Sequence, residues 1–513
     1  MTVYNVNLGI GWASSGVEYA QAYRARALRQ KQLPAKFIFS DLILANNIED
    51  LTANLGFTDD QIIWFYNFFT DVRIAPSDYP LAKWEQDVHL EERGKYEKKV
   101  TEKEAQYSLP NEDLWIGVRF HDAQKQTIDQ VSYVTTDGMM VKRDFYSYTK
   151  YACEYYSGER QNNHVTFREF YNEDGSVAYT EYLTQNKGEV FEFPHQQIYY
   201  SKNDLYREMV RQLNWTADDV VILDRTGEGT NLSNGQIIFE EHRPAKLVVV
   251  VHADHYDQHY TDKHRVLWNN FYEYSFTHPD EVASFIVATD KQKELLLKQE
   301  EKYYGHKLRV DTIPVGSLDQ LRHPEKPRKR HSLITASRLA TEKHLDWLVK
   351  AVAIAHEQIS DVTLDIYGQG VEHDRLKKLI DSRNAGAYIR LMGQHDLTNT
   401  YTHYDGYVAA STSEGFGLSL LEAVGSGLPM IGFDVPYGNQ TFIDNGQNGY
   451  LLDYNEEWSD QQKVEALAKA IIRLFTEADL AAFSQHSYQL ATPYLQDNIA
   501  AKWQSLLEEL VND

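Results

Sequence analysis

Cysteine is almost absent from this sequence of 513 residues, which contains only Cys153. A single cysteine excludes an internal disulfide and is typical of a reducing compartment. No apolar run approaches the roughly 20 residues that a membrane-spanning helix needs. The first residues, MTVYNVNLGIGW, also lack a basic segment followed by an apolar one. We therefore expect a soluble, cytoplasmic protein.

Basic charge is also scarce, because 51 Lys and Arg residues face 75 Asp and Glu residues, a formal net charge of -24 at pH 7. Nonspecific nucleic-acid binding needs a broad basic surface, so it is disfavoured. Gly9, Gly11 and Gly16 have the spacing G-x-G-x4-G, which is not the dinucleotide fingerprint G-x-G-x-x-G, and this disfavours hydride transfer. The amides after Ser14 and Ser15 still suit a diphosphate at a helix start, with a plain strand-to-helix turn as the alternative.

The length is sufficient for about three domains, each with its own core. Apolar runs followed by helical patterns predict parallel α/β sheets towards both ends of the chain, with strands at residues 3–8, 246–251 and 363–367. Between residues 72 and 201 the pattern changes to short alternating aromatic and β-branched runs. We predict an α/β fold with an antiparallel sheet inserted into its first domain.

Three smaller features lie in this inserted region or just before it in the chain. Residues 61–69 predict a helix, and the highly charged residues 83–111 predict a surface excursion. Asp137-Gly138 and Asp174-Gly175 predict tight hairpins. A tyrosine-rich sheet with polar edges is more typical of a docking surface, for a partner or a polypeptide acceptor, than of a second active site. A decoration without function is the alternative.

The predicted domain bounds follow from these changes of pattern. They are 1–71 and 202–316 for the two parts of a first Rossmann-like domain, 72–201 for the inserted sheet, 317–490 for a second Rossmann-like domain and 491–513 for a C-terminal helix. Residues 322–330, RHPEKPRKR, are basic and contain proline. We interpret them as a solvated linker, with an anion-binding or membrane-binding patch as the alternative.

The most informative segment is residues 409–430, AASTSEGFGLSLLEAVGSGLPM. A small-residue strand leads into EGFG at 414–417, and a helical pattern follows at once. Glycines before a helix allow a ligand to approach closely, and the first amides of the helix can donate to phosphate oxygens. Glu414 and Glu422 would accept hydrogen bonds from sugar hydroxyls, and we expect neither to be an ordinary salt-bridge partner. Two solvated acids at an ordinary turn are the alternative.

Other candidate residues lie where strands are predicted to end. Arg338 and Lys343 straddle a strand-to-helix connection, where two cations could neutralise a leaving diphosphate. One such charge pair at ~4 Å is worth about 4 kcal/mol at an effective dielectric of 20, before desolvation. Met392 and Gly393 offer backbone groups to a flat base edge. His252 follows the apolar strand at 246–251, and ligands of doubly wound sheets gather at such carboxyl ends.

A metal site is an alternative for the strand end at His252. His252 and His255, with Asp254 and Asp257, bring four ligand types into one short segment. No further ligand cluster with matching spacing accompanies them, and histidine is common at strand ends. We therefore favour sugar contact for His252.

Glu414 and Glu422, in the pattern E-G-F-G-x4-E, resemble the E-x7-E signature of retaining glycosyltransferases with the GT-B fold, which has two Rossmann-like domains facing a cleft. Longer segments extend the resemblance over nearly the whole chain and are similar to the GtfA family. That family comprises the catalytic subunits of two-component O-glycosyltransferases that modify serine-rich repeat adhesins before export by the accessory Sec system. The similar segments are NLGIGWASSGVEYA at 7–20, VVVVHADHY at 248–256, TIPVGS at 312–317, TASRLATEKHLDWLVKA at 335–351 and GFDVPYGNQTFIDNGQNGYL at 432–451.

The resemblance implies an activity and a partner. The donor would be UDP-N-acetylglucosamine, the acceptor serine or threonine of a serine-rich polypeptide, and the anomeric configuration would be retained. The inserted sheet would bind a GtfB-type accessory subunit in a heterotetramer, through which the protein could also lie peripherally at the inner face of the cell membrane. No cofactor is implied, and the lack of any Asp-x-Asp triplet fits neutralisation by side chains and helix ends in place of a metal ion.

The family's site residues carry over onto matching positions of this sequence. The implied catalytic residues are Glu414, Arg338, Lys343 and His252. The implied contacts to UDP are Gly16, Arg338, Lys343, Met392, Gly393 and Glu422, and those to the hexose are His252, Glu414, Gly415, Phe416 and Gly417. In this family the leaving phosphate can take the proton of the acceptor on the same face of the sugar.

Several functions stay open at this point. The donor could be UDP-glucose, because no motif distinguishes a hydroxyl from an acetamido group. The chain could be a polysaccharide or teichoic-acid glucosyltransferase on the same fold, or a non-catalytic, chaperone-like binder of the repeat polypeptide. Phosphorylase chemistry is a further alternative and would need a lysine-linked pyridoxal phosphate.

Overall fold

A computed structural model describes residues 1–12, 15–159, 162–184, 188–225 and 234–512. Ser14, in the first predicted phosphate turn, and Asp513, at the end of the predicted C-terminal helix, lie outside the described residues, as do parts of the predicted insert. The chain separates into two compact units, residues 1–25 with 33–248 and residues 26–32 with 249–512. This grouping differs from the predicted one, because residues 249–316 belong to the second unit.

Among the described residues, the first unit contains strands of two sheets, five whole helices and the first part of a sixth. The strands are β1 (Val3–Asn7), β2 (Ala35–Phe39), β3 (Ile62–Trp64), β4 (Tyr79–Pro80), β5 (Glu97–Val100), β6 (Glu104–Leu109), β7 (Leu114–Asp122), β8 (Thr127–Thr135), β9 (Met140–Tyr146), β10 (Lys150–Ser157), β11 (His164–Tyr171), β12 (Val177–Leu183), β13 (Glu189–Phe193), β14 (Gln197–Tyr199), β15 (Val220–Leu223) and the start of β16 (Lys246–Val251). The helices are α1 (Gly16–Gln30), α2 (Ile48–Asn54), α3 (Phe65–Phe68), α4 (Leu81–Asp87), α5 (Lys202–Gln212) and α6 (Asn234–Glu241).

A parallel sheet in this unit has the order β16-β15-β1-β2-β3. The four residues of β15 and the last five of β16 are buried, as expected for strands covered on both faces. The predicted helix at 61–69 is wrong in its first half, because Ile62–Trp64 forms β3 in parallel register with Phe37–Phe39 of β2. Pairing along β2 prevails over a local helical pattern that is too short to be stable alone.

The inserted sheet is antiparallel, in the order β14-β13-β12-β11-β10-β9-β8-β7-β6-β5, with β4 paired to β8. The predicted hairpin turns at Gly138 and Gly175 connect β8 to β9 and β11 to β12, and both glycines have φ near +90° or +80°. The predicted surface excursion at 83–111 is wrong only in part, because residues 94–103 are exposed. It contains α4, β5 and β6, and Trp84 and Tyr107 in it are fully buried, because the charged residues occupy only the outer positions of an amphipathic pattern.

The second unit contains the end of β16 and the remaining elements of the chain. The strands are β17 (Tyr256–Asp257), β18 (Leu267–Trp268), β19 (Ser284–Val287), β20 (Val310–Thr312), β21 (Ser332–Ala336), β22 (Thr363–Tyr367), β23 (Ile389–Gly393), β24 (Gly406–Val408), β25 (Met430–Phe433) and β26 (Gly449–Leu452). The helices are α7 (Glu273–Thr277), α8 (Asp290–Tyr303), α9 (Leu345–Gln358), α10 (His373–Ser382), α11 (Leu418–Gly425), α12 (Gly438–Phe442), α13 (Asp460–Thr476), α14 (Leu480–Ala491) and α15 (Gln496–Asn512).

A second parallel sheet, of the order β23-β22-β21-β24-β25-β26, organises this unit. The strand order reverses direction at β21, with β22 on one side and β24 on the other, and this is where doubly wound sheets bind ligands. Helix α11 packs beneath it through buried Leu420, Leu421 and Val424. The core therefore fixes the helix that follows the EGFG loop.

The basic run at 322–330 is not solvated throughout. Arg328 is half-buried and donates to the carbonyl oxygens of Gly427 (2.9 Å) and Ser426 (2.7 Å), just beyond the C-terminal end of α11. Burial lowers the pKa of Arg328 below its usual value. The linker interpretation is therefore wrong at this residue. Arg328 binds carbonyls at the C-terminal end of a helix, where a cation is favourable.

Across the residues that the structure describes, none of the helices is both long enough and apolar enough to cross a membrane.

Candidate functional site

The predicted glycine-rich turn lies directly before α11. Gly417 is the residue before the helix and has φ +82°, in the left-handed region that favours glycine. A Cβ atom built on it would lie 2.6 Å from the Leu420 side chain. Phe416 is buried in the core beneath the loop. The loop therefore brings the first amides of an eight-residue helix to a ligand-accessible turn, which suits phosphate oxygens.

Backbone hydrogen bonds hold Glu414 at the start of this loop. Its N–H donates to the Pro436 carbonyl at 3.1 Å, and its own carbonyl accepts from the N–H groups of Tyr437 at 2.7 Å and Gly438 at 2.8 Å. A Cβ atom on Gly438 would lie 2.3 Å from the Phe416 carbonyl oxygen. Only glycine allows this close approach of two backbones, so the segment at 436–438 fixes the shape of the glycine-rich loop at 414–417.

Lys343 and Glu414 form an ion pair, with Nζ 2.6 Å from Oε2. Their side chains are 14% and 21% exposed, so water screens the pair only partly. The expectation that Glu414 is not a salt-bridge partner is therefore wrong for this structure. Lys343 ends a short 3-10 turn, Thr341–Lys343, after β21, and this turn directs it towards the loop.

Arg338 and Glu422 have different surroundings from that pair. The side chain of Arg338 is 80% exposed and lies 3.2 Å from Glu342, a contact that contributes little in water. Glu422 accepts a hydrogen bond from the Tyr401 hydroxyl at 2.9 Å. Burial raises the pKa of Glu422, and this hydrogen bond opposes the shift. Arg338 is thus accessible to a ligand, whereas Glu422 is held by Tyr401.

Met392 and Gly393 end β23, as predicted, at the carboxyl edge of the sheet. The Met392 carbonyl is 2.8 Å from His395 Nε2, and the Gly393 carbonyl accepts from the Gly368 N–H at 2.8 Å. Gly393 has φ +76°. Both carbonyls already have partners, so a base would use the amide groups or compete for these oxygens.

His252 follows β16 and contacts the glycine-rich loop. Its N–H donates to the Tyr272 hydroxyl at 3.0 Å, and a Cβ atom on Gly415 would lie 3.2 Å from its carbonyl oxygen. The structure thus places His252, Gly415 and the Lys343–Glu414 pair around one loop. Gly16 begins α1, which starts in the first unit.

The metal alternative receives no support from the described residues. His255 is fully buried, with Nε2 2.8 Å from Gln299 Oε1 and Nδ1 3.2 Å from the Tyr437 hydroxyl. Burial lowers the pKa of His255 to about 4. Within the part of the chain that the structure describes, no three His, Cys, Asp or Glu side chains form a group that could hold a metal ion.

Two residues at this site were not predicted as site residues. Asp254 accepts a hydrogen bond from the Ser413 hydroxyl at 2.6 Å, and Tyr437 contacts both Glu414 and His255. The sequence suggests Asp254 only as a metal ligand, and Tyr437 only as part of a segment similar to the family. Neither pairing has a signal in the sequence, because the partners are more than 20 positions apart along the chain.

Comparisons with known proteins identify the domains that contain these residues. The Glycosyl transferases group 1 family matches residues 319–487, which contain the loop, Arg338, Lys343 and Glu422. The GtfA extended beta-sheet domain matches residues 95–195, which lie in the antiparallel sheet. TarM, at 18% identity and a TM-score of 0.77 over 99% of this chain and 98% of its own, shares the fold.

Full-length relatives are much more similar. The chain is 60% identical over 511 residues to the GtfA subunit of the UDP-N-acetylglucosamine–peptide N-acetylglucosaminyltransferase of Limosilactobacillus reuteri subsp. suis, covering 99% of both. It is 49% identical to the GtfA subunit of Streptococcus gordonii, over 100% of this chain and 99% of that one.

Solved structures that match the whole chain include two of high identity. One is the pneumococcal O-GlcNAc transferase GtfA in complex with UDP and GlcNAc, with 45% identity, a TM-score of 0.91 and coverage of 100% and 99%. The other is a GtfA/B complex, with 49% identity, a TM-score of 0.93 and full coverage of both chains. This extent of identity over the whole length shows that the chain has the GT-B fold and belongs to the GtfA family of glycosyltransferase subunits.

Proposed function

We propose that this protein transfers N-acetylglucosamine from UDP-N-acetylglucosamine to serine or threonine of a serine-rich repeat polypeptide, with retention of configuration. The observation that carries the proposal is the Lys343–Glu414 ion pair, at 2.6 Å, beside the start of helix α11. A diphosphate bound at this helix start would meet the Lys343 cation, and the sugar hydroxyls would meet the Glu414 carboxylate. The pneumococcal relative crystallised with UDP and GlcNAc supports the choice of donor.

The diphosphate would be bound by the first amides of α11, by Lys343 and by the exposed Arg338. These groups stabilise the negative charge that grows on the phosphate as the sugar–oxygen bond breaks. Lys343 has three donors, so it can keep Glu414 and still donate to phosphate. Glu422 would accept from the ribose, and Met392, Gly393 and Gly16 would contact UDP.

The hexose would lie between the loop and the strand end. Glu414, Gly415, Phe416 and Gly417 line one side, and His252 lines the other. The leaving phosphate oxygen takes the proton of the attacking serine hydroxyl on the same face of the sugar, so that the new bond forms with retention. No enzymic nucleophile and no metal ion take part in this proposal.

A GtfB-type subunit would complete the enzyme, since a homologous chain is found in a GtfA/B complex. The inserted sheet, within proposed bounds 72–201, would carry that contact in a heterotetramer. The other proposed bounds are 1–71, 202–316, 317–490 and 491–513, and the two family matches at 95–195 and 319–487 fall inside single domains. We propose a cytoplasmic protein that reaches the inner face of the membrane only through its partner.

Mass spectrometry of a serine-rich peptide tests this function. The peptide is incubated with UDP-N-acetylglucosamine or UDP-glucose, with and without the partner subunit. We expect N-acetylhexosamine on serine or threonine, at a higher rate with the partner. Glu414→Ala should lower the rate on the order of 10²–10³-fold, the usual effect of removing one group that stabilises the transition state.

The alternatives give different results in the same assay. Hexose from UDP-glucose as the preferred product would change the donor, and faster transfer to polyol phosphate or glucan would favour a teichoic-acid or polysaccharide enzyme. If Glu414→Ala left sugar transfer unchanged, this chain would not be the catalyst of the transfer, and a chaperone-like binder would be favoured. Loss of turnover in EDTA would overturn the metal-free mechanism, and absorbance of a bound pyridoxal phosphate would favour phosphorylase chemistry.

A further inference from the structure

Asp254 lies beside the glycine-rich loop, although it is not one of the predicted site residues. It follows β16 by three positions, and its Oδ2 accepts a hydrogen bond from the Ser413 hydroxyl at 2.6 Å. Ser413 immediately precedes Glu414. The carboxylate of Asp254 is therefore linked to the residue next to the one that forms the Lys343 ion pair.

The backbone around Asp254 is fixed by three side chains. Asn269 Nδ2 donates to the Asp254 carbonyl at 3.1 Å, and Gln292 Nε2 donates to the Ala253 carbonyl at 2.9 Å. The Tyr272 hydroxyl accepts from the Ala253 N–H at 3.2 Å. A carboxylate on a backbone held this way is preorganised, so little ordering cost remains when a ligand binds.

Charge at this position selects the kind of ligand group. Burial raises the pKa of Asp254, and the negative charge of Glu414 raises it further, whereas the Ser413 hydrogen bond lowers it. Two nearby carboxylates repel a phosphate but can each accept a hydrogen bond from a hydroxyl. The arrangement therefore suits the polyhydroxyl part of a sugar nucleotide and not its diphosphate.

We propose that Asp254 is a further binding residue for the donor sugar. Its carboxylate, oriented by Ser413, accepts a hydrogen bond from a hydroxyl of the hexose that the Glu414 loop holds. This inference rests on the proposed function and adds a second carboxylate to its sugar pocket, contributed by the strand-end segment that contains His252.

Calorimetric titration of the full chain with UDP and, separately, with UDP-N-acetylglucosamine tests this role. Asp254→Asn should weaken UDP-N-acetylglucosamine about tenfold to a hundredfold, the range for losing a hydrogen bond to a charged group. It should leave the affinity for UDP, which has no hexose, within about twofold of the unsubstituted protein. A folding defect would weaken both ligands alike, so the ratio of the two affinities isolates sugar recognition.

Two further variants complete the design. Ser413→Ala should weaken only the sugar nucleotide, by less than Asp254→Asn, because it loosens the carboxylate without removing it. Asp257→Asn is the matched control. Its Oδ1 accepts from the N–H groups of His259 and Tyr260, and both affinities should stay unchanged.

The inference is overturned if Asp254→Asn leaves the ratio of the two affinities unchanged, or if it affects only the KM for the peptide, which would make Asp254 an acceptor contact. Failure of the proposed function looks different. In that case the unsubstituted protein itself would bind UDP-N-acetylglucosamine no better than UDP and would not transfer the sugar.

Discussion

At the scale of single residues, the site contains one well-formed ion pair and two carboxylates that accept hydrogen bonds from hydroxyl groups. Lys343 is paired with Glu414 at 2.6 Å, whereas Asp254 and Glu422 accept from the hydroxyls of Ser413 and Tyr401. Desolvating a carboxylate raises its energy unless donors compensate. A ligand rich in hydroxyls supplies such donors, so the residues around the loop favour a sugar over a second anion.

His255 gives a pH-dependent prediction at this scale. Burial lowers its pKa to about 4 from the ordinary value of 6.5, so below pH 6.5 the unfolded chain takes up a proton that the folded chain does not. Stability from neutral His255 is therefore complete above about pH 6.5 and is lost as the pH falls towards 4. The full effect is roughly 3 kcal/mol in the free energy of unfolding. Urea unfolding at several values between pH 4.5 and 7 measures it.

The comparison for this prediction uses slopes and not absolute stabilities. His255→Asn removes contacts to Gln299 and Tyr437, so it lowers stability at every pH, but it should also flatten the dependence on pH. His373→Asn changes a histidine that is 53% exposed and should keep the slope of the unsubstituted protein. Equal slopes for His255→Asn and the unsubstituted protein would contradict the assignment.

At the scale of elements, helix α11 is fixed at both ends. At its start, the segment at 436–438 binds the Glu414 backbone. Beyond its end, Arg328 and the Tyr488 hydroxyl both contact the Ser426 carbonyl. The amides that would bind phosphate therefore belong to a helix that cannot shift along its axis without breaking these contacts. Preorganisation of this kind is what electrostatic catalysis needs.

Gly438→Ala tests the start of this helix. The new Cβ atom would lie 2.3 Å from the Phe416 carbonyl oxygen, so the loop must move. A displacement near 1 Å can lower a rate about 10²-fold, and we expect a loss of that order in UDP-N-acetylglucosamine hydrolysis. The matched control is Gly386→Ala, because a Cβ atom there has no neighbour within 4 Å. Equal rates for the two variants would show that the close approach does not set the loop.

At the scale of the whole molecule, the glycine-rich loop and the inserted sheet lie in different compact units. The loop, Lys343 and His252 lie in the second unit, whereas the inserted sheet belongs to the first. One face of that sheet carries a ladder of aromatic rings across three strands, Tyr155, Phe167 and Tyr182. The rings of Tyr155 and Phe167 are stacked at 4.3 Å, and Tyr182 is 42% exposed. Accessible aromatic side chains of this kind are frequent anchors of protein interfaces.

The paired substitution Phe167→Ala with Tyr182→Ala tests whether this ladder binds the partner subunit. We expect complex formation to weaken at least about tenfold, since truncating an aromatic anchor commonly costs 2 kcal/mol or more. UDP-N-acetylglucosamine hydrolysis should stay unchanged. Val141→Ala is the control, because Val141 is 41% exposed and adjacent to Lys142, which pairs with Tyr155, so it lies on the opposite face. Undiminished complex formation would exclude the ladder from the interface.

The sequence alone was sufficient for the GT-B fold class, the presence of an inserted antiparallel sheet and the family. It also predicted the loop before α11 and the strand ends at His252 and Gly393. The GT-B fold class and the family follow from the resemblance of the quoted segments. The loop and the strand ends follow from local patterns, because glycines, strand patterns and helix starts act through neighbouring residues. Local patterns failed where a distant partner decided the outcome, as in β3, which pairs with β2, and at Trp84 and Tyr107, which the rest of the sheet buries.

Only the tertiary structure brought together residues that are far apart in the chain. Lys343 and Glu414 are 71 positions apart, Asp254 and Ser413 are 159 apart, and His255 and Tyr437 are 182 apart. A side chain gives no local sign of such a partner, because the contact depends on where two different strands end after the sheet has formed. The sequence by itself therefore determined which chemical groups the chain carries, whereas the fold decided which of them meet at one loop and which of them pair.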